Sequence, residues 1–171
     1  MSLVERIDRG AICRLLLNQP GRLNVLSDNL LNALQEELDS VNKSNNIRCV
    51  IISGAGNGFC AGHDLKEMTK QRQNPDGGVA YFRDLFVRCS KMMTTIQSLP
   101  QPVIAQVHGI ATAAGCQLVA SCDLAVADES ARFGVNGVNI GLFCSTPMVA
   151  LTRAVGPVSY THLTLPTTRL V

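Results

Sequence analysis

The chain has no tryptophan, and its two Tyr and five Phe make up 4% of 171 residues. Charged residues are also sparse at 16%, and 15 Lys and Arg against 13 Asp and Glu leave a net charge of +2. Such a balance does not attract a polyanion. No basic run and no RNA-binding aromatic motif is present, so nucleic acid is excluded as a partner. No two of the seven cysteines (Cys13, Cys49, Cys60, Cys89, Cys116, Cys122, Cys144) have Cys-x-x-Cys spacing. Odd in number and set mostly in apolar runs, they are read as reduced core residues of a reducing compartment. His63, Asp64 and His108 lack the spacing of a metal-ligating set, so no metal is expected.

A long uninterrupted apolar run is missing too. Phe133 to Thr152 carries no charge, but Gly134, Asn136, Gly137, Asn139, Gly141 and Pro147 break it up, which rejects a membrane span. Glu5 and Asp8, so close to the start, argue against a signal or transit peptide.

Apolar residues make up 46% of the chain, enough for one domain with a real core. Val4 to Ile7 and Ala11 to Leu17 read as strands joined by a turn at Asp8-Arg9-Gly10. Ser27 is a candidate N-cap for a helix to about Asn42, with Leu30, Leu34, Leu38 and Val41 on one face. Cys49 to Ile52, Pro102 to Val107 and Leu124 to Ala127 read as strands. Val79 to Ser98 is a long helix with Tyr81, Leu85, Cys89 and Met92 or Met93 inward, and a shorter helix opens near Ala114. Gln71 to Gly78 is a polar surface loop. Strands alternating with helices define an α/β fold with a covered sheet. From Pro157 on, neither helical nor strand continuity is evident. Residues 157–171 are read as a segment foreign to the fold, of frameshift or adapter origin, leaving 1–156 as the domain.

Two segments concentrate the chemistry: Phe59-Cys60-Ala61-Gly62-His63-Asp64-Leu65-Lys66-Glu67 and His108-Gly109-Ile110-Ala111-Thr112-Ala113-Ala114-Gly115-Cys116-Gln117. Each follows a β-branched apolar run and crowds small residues where a strand should turn into a helix. Small side chains admit a ligand to the backbone, and the first N–H groups of a helix lack intrahelical partners. Two such starts side by side can aim two donors at one oxygen, as an oxyanion hole does. The loop Gly54 to Gly58 invites a phosphate-binding reading, but it lacks the Gly-Lys-Ser/Thr of a Walker loop, and Phe59 stands where a dinucleotide fingerprint needs glycine. An ordinary turn is the better reading. His108 is read as a structural hydrogen-bonder, and Arg22 with Lys66 makes a modest case for an anionic ligand.

These segments, with Ser121-Cys122-Asp123-Leu124-Ala125-Val126-Ala127, Asn24-Val25-Leu26, Phe133-Gly134 and Leu151 to Gly156, closely resemble the enoyl-CoA hydratase/isomerase (crotonase) family over residues 3 to 156. The resemblance implies the crotonase-like (ClpP/crotonase) core of repeated ββα units in a spiral, here without the family's C-terminal helical region. It places the oxyanion-hole donors on the backbone N–H groups of His63 and Ala114. It also places Arg22, Leu23, Gly62, Asp64, Leu65, Lys66 and Gly115 along the coenzyme A path. The ligand is then an acyl-CoA or enoyl-CoA thioester, with coenzyme A part of the substrate rather than a resident cofactor, and the full-length form a homotrimer or hexamer, an assembly not carried over to this fragment. The compartment is the mitochondrial matrix for a eukaryotic source and otherwise the cytoplasm.

Two positions depart from the family pattern. Its pair of glutamates falls on Gln117 and Gly137. Glutamine orients water without accepting a proton at neutral pH, and glycine does neither, so ordinary hydration is not expected. Asn136, Asn139, Cys144 and Ser145 are polar replacements nearby, and Asp123 is expected to anchor a turn. Two readings therefore stay open. One is enolate stabilisation by an isomerase- or hydratase-like enzyme of fatty-acid and acyl-CoA metabolism. The other is a non-catalytic acyl-CoA-binding or regulatory protein. A fragment with no function of its own is the third, blander possibility.

Overall fold

The computed structural model describes residues 2–135, 137, 141 and 143–164. Strand β1 (Val4–Arg9) pairs antiparallel with β2 (Ile12–Leu17), and Arg9 lies opposite Ile12. The turn is therefore the two residues Gly10-Ala11, shorter than the three expected at Asp8 to Gly10. Gly10 takes a φ of 60°, and glycine accepts that conformation at the first central position without steric cost.

Helix α1 (Asp28–Asn42) starts where expected: the Ser27 hydroxyl accepts from Leu30 N–H at 3.2 Å. Leu30, Leu31, Leu34, Leu38 and Val41 are buried along its inner face. Strand β3 (Cys49–Gly54) joins β2 in parallel, and β4 (Val103–Val107) joins β3. Between them lie a short helix, α2 (Leu65–Gln71), and the long α3 (Val79–Ser98). Leu85, Cys89, Met92, Met93 and Ile96 are buried on α3, while Tyr81 is half-buried. Asp76 starts α3, accepting from Gly78 N–H and Ala80 N–H at 2.9 Å each.

Strand β5 (Ile110–Thr112) precedes helix α4 (Ala114–Ala120), and β6 (Leu124–Ala127) then completes the main sheet in the order β1-β2-β3-β4-β6. β7 (Arg132–Gly134) pairs parallel with β5 in a second, two-stranded sheet. Sequence patterning missed β5 and β7 because three residues are too few to display a period.

It also missed α5 (Ser145–Ala154), where Pro147 reads as a breaker. Pro147 sits in the first turn, where an N–H has no intrahelical partner to lose. The expectation that 157 onward lacks helical continuity is corrected on the same ground. Pro157–Thr164 forms a helix, α6, with Pro157 as its first residue, and Thr161 Oγ1 donates to Pro157 O at 2.9 Å. Residues 165–171 lie outside the described residues. Among the described residues, no helix is long and apolar enough to cross a membrane.

The main core runs from β1 to α4 and centres on Leu15, Leu17, Ile52, Phe59, Met92 and Leu118. A smaller cluster joins Cys116 and Val135 to Cys144, Met148 and Leu151, and so seats α5 against α4. Leu124 and Val126 on the edge strand β6 are more than half exposed.

Candidate functional site

Backbone pairing brings the two chemistry-bearing segments into contact. Cys60 N–H donates to Ile110 O and Thr112 N–H donates to Cys60 O, both at 3.0 Å, forming a parallel bridge between Cys60 and Ala111. On the other flank Ala61 N–H donates to Leu23 O at 3.0 Å and Leu26 N–H to Gly62 O at 2.8 Å. With β7 beyond β5, the chain from Leu23 to Gly134 thus assembles a second layer of short parallel pairings. Both helix starts, α2 and α4, emerge from it.

Glycines make that contact close enough. A Cβ on Gly62, whose φ is 89°, would meet the Ala113 Cβ and Thr112 O at 3.0 Å and Ala114 N at 3.2 Å. A Cβ on Gly115 would meet the Cys60 carbonyl oxygen at 2.1 Å. Ala113 enters α4 at φ 50° and ψ −121°, a conformation that costs an alanine about 1–3 kcal/mol. It is held there by Ala113 N–H to Gly134 O at 2.9 Å and by Gln117 N–H to Ala113 O at 3.0 Å. Among the described residues, neither His63 N–H nor Ala114 N–H donates to a protein acceptor. Each open donor belongs to the residue that follows one partner of the Gly62–Ala113 contact.

The residues around this point divide by what their side chains do. Asp64 is buried, accepts from Lys66 N–H at 3.0 Å and Glu67 N–H at 3.4 Å, and pairs with the half-exposed guanidinium of Arg22. Its carboxylate starts α2 and fixes Arg22, so it is committed within the protein. Glu67 Oε2 accepts from Asp28 N–H at 3.0 Å and ties α2 to the start of α1. Leu65 and Lys66 are exposed, as is Leu23, which takes a φ of 50°. The His63 ring packs edge-on against Phe86, 5.9 Å between centroids. Its Nδ1 is buried without a partner among the described residues, and burial lowers its pKa below the ordinary 6.5.

Asn24 carries a role that sequence reading did not assign. Fully buried, its Nδ2 donates to Ala55 O at 2.9 Å and Gly58 O at 2.8 Å, while its Oδ1 accepts from Gln19 N–H at 2.8 Å. This side chain pins the Gly54–Gly58 loop, which behaves as a structural turn. His108 Nε2 shares a hydrogen bond with Gly56 O at 2.7 Å on the same loop. Asp123 anchors a turn, accepting from Val103 N–H at 2.7 Å.

Beyond His63, a cavity of about 590 Å³ opens between α3, α4 and α5, with Phe86, Gln117, Asp123, Ser145 and Thr146 among its lining residues. Gln117 lies one turn along α4 from Ala114, is buried, and its Oε1 accepts from Thr146 Oγ1 at 3.0 Å. Gly137 is buried as well. Of the polar replacements, Cys144 is a buried residue before α5 and Ser145 an exposed one opening it, while Asn136 and Asn139 lie outside the described residues.

A layered α/β core with apposed glycine-rich strand-to-helix turns defines a class, and comparison with known proteins agrees. The chain belongs to the enoyl-CoA hydratase/isomerase family, whose model matches residues 8–170. Among its relatives is the mitochondrial enoyl-CoA hydratase domain-containing protein 3 of Xenopus laevis, 51% identical over 144 residues, covering 84% of this chain and 47% of that protein. The human counterpart is 49% identical over 144 residues, covering 84% and 46%. The crystal structure of enoyl-CoA hydratase from Mycobacterium smegmatis matches with a TM-score of 0.87 at 50% identity, covering 94% of this chain and 61% of that one. That of human enoyl Coenzyme A hydratase domain-containing protein 3 gives 0.85 at 43%, covering 94% and 62%. The fold is therefore crotonase-like, as the sequence resemblance implied. The chain spans about half the length of the curated relatives it matches.

Proposed function

We propose that this chain binds an acyl-CoA thioester with its carbonyl oxygen between the N–H groups of His63 and Ala114. The observation that carries this reading is the Gly62–Ala113 contact with an open amide on the residue after each partner. When solvent hydroxide takes the α-proton of a thioester to form water, the C–H electron pair moves into the carbonyl and its oxygen becomes an oxyanion. Two fixed N–H donors stabilise that oxygen more than they stabilise the ground-state carbonyl, and losing one costs about 2.7–4 kcal/mol of barrier. Gly62 and Gly115 let the two segments approach closely, while Arg22, Leu23, Leu65 and Lys66 line the path for coenzyme A. Asp64 acts there by holding Arg22 and starting α2. The family resemblance supports a trimer or hexamer for the full-length form, and the relatives' names support a mitochondrial compartment.

The test is α-proton exchange of butyryl-CoA in heavy water. Exchange above the protein-free rate supports enolate stabilisation, and its absence with confirmed binding refutes it.

Gln117 and Gly137 favour a second reading, in which the thioester is bound without turnover. Neither side chain can take a proton at neutral pH. Gln117→Glu combined with Gly137→Glu separates the two. Hydration of crotonyl-CoA appearing only in the double variant identifies the natural chain as a binder of that substrate.

A further inference from the structure

We infer that Thr146 is a positioning residue that makes Gln117 a hydrogen-bond donor to the bound acyl group, selecting thioesters with an oxygen on the β-carbon over unsubstituted ones. This rests on the thioester reading above. The Thr146 hydroxyl donates to Gln117 Oε1 at 3.0 Å, which occupies the acceptor end of the amide. The Nε2 end has no partner among the described residues and is not one of the fully enclosed, unsatisfied atoms. It belongs to a residue that lines the cavity of about 590 Å³. Because Thr146 fixes one end of the amide, the other presents N–H groups to whatever fills that cavity.

Position along the helix says which part of the ligand meets those donors. Gln117 is three residues beyond Ala114, so its side chain lies on the same face of α4 as that of Ala114 and roughly 4.5 Å further along the axis at 1.5 Å per residue. An acyl group whose carbonyl oxygen sits at Ala114 N–H and whose chain enters the cavity lined by Gln117 passes that side chain at about its β-carbon. A hydroxyl or carbonyl oxygen there accepts from Nε2. A methylene or a vinyl carbon leaves the amide unpaired in a partly dry site, which is penalised. The carboxylate that the family places here would accept hydrogen bonds, whereas the Thr146-held amide donates one.

Isothermal titration of the 171-residue chain with 3-hydroxybutyryl-CoA and with butyryl-CoA tests this directly. The hydroxylated ligand is expected to bind about tenfold more tightly, the worth of one well-made hydrogen bond. Thr146→Val should bring the ratio near one and Thr146→Ser should restore it, a rescue that a merely structural role would not show. Equal affinities in the unsubstituted chain overturn the inference whether or not the variants fold, while leaving thioester binding intact. Binding of neither ligand refutes the thioester reading and this inference with it.

Discussion

Gly62 and Ala113 meet so closely that a methyl group on the glycine would sit 3.0 Å from the alanine Cβ, and both backbones lie at positive φ. In the proposed site this contact would set the spacing between the amides of His63 and Ala114. Gly62→Ala is therefore expected to destabilise the fold by about 1–3 kcal/mol and to abolish acyl-CoA binding. Gly115→Ala should be worse, because its methyl meets a main-chain oxygen, Cys60 O, at 2.1 Å, far inside the 3.0 Å contacts at Gly62. Urea unfolding and titration with butyryl-CoA read the two effects separately. A Gly62→Ala protein that binds normally would show that the contact does not set the site.

Asn24 makes the same argument for the loop behind the site. Replacing it with alanine leaves one buried and one partly buried carbonyl and one N–H without this partner, at an expected cost of about 3 kcal/mol. Asn24→Asp should cost more, since a carboxylate would face the Ala55 and Gly58 oxygens. The residue also holds a φ of 51°, which asparagine tolerates better than most side chains. A loss below about 1 kcal/mol in urea unfolding of Asn24→Ala would contradict this account.

His63 predicts a pH dependence in a window of its own. Burial holds its pKa below 6.5, so the unfolded chain takes up a proton that the folded one resists. Its contribution is fully present above pH 6.5 and is lost as pH falls below that value. Asp8, Asp76 and Asp128, whose pKa values are lowered from 3.8, lose their contributions only at more acid pH. The urea midpoint should therefore drop between pH 7.5 and 5.5, and His63→Phe, which keeps a ring against Phe86, should flatten that drop. An unchanged slope in the variant would assign the effect elsewhere.

Much of this was legible in the sequence, for identifiable reasons. Ser27 with its spaced leucines, and the apolar runs at Cys49 and Pro102, carry strong local signals, and their elements lie within a residue or two of expectation. The apposition of Gly62 with Ala114 was legible only as two similar segments. It depends on the Cys60–Ala111 bridge, a pairing across fifty residues that no local pattern encodes. Asp64 reads as a ligand-path residue from resemblance, yet its carboxylate is occupied by α2 and Arg22, partners visible only in three dimensions. α5 and α6 were hidden because proline reads as a breaker unless its place in the first turn is known.

Cysteine reactivity reports on the same junction. Burial pushes the thiols of Cys13, Cys60 and Cys122 up to about 12, and those of Cys89 and Cys116 to about 11. At pH 8, a rise from 9.0 to about 12 cuts the thiolate fraction about a thousandfold, and the thiolate is the species that alkylates. Cys60 lies directly beneath Gly115, so it can react only when the bridge between the two segments opens. Iodoacetamide should therefore label Cys60 in the native chain far more slowly than in urea, as peptide mass mapping would show. Gly62→Ala should speed that labelling by loosening the same bridge, and an acyl-CoA that bridges the amides of His63 and Ala114 should slow it. Rapid Cys60 labelling in the native, ligand-free chain would mean the two segments are not held together, and the thioester site would have no fixed geometry.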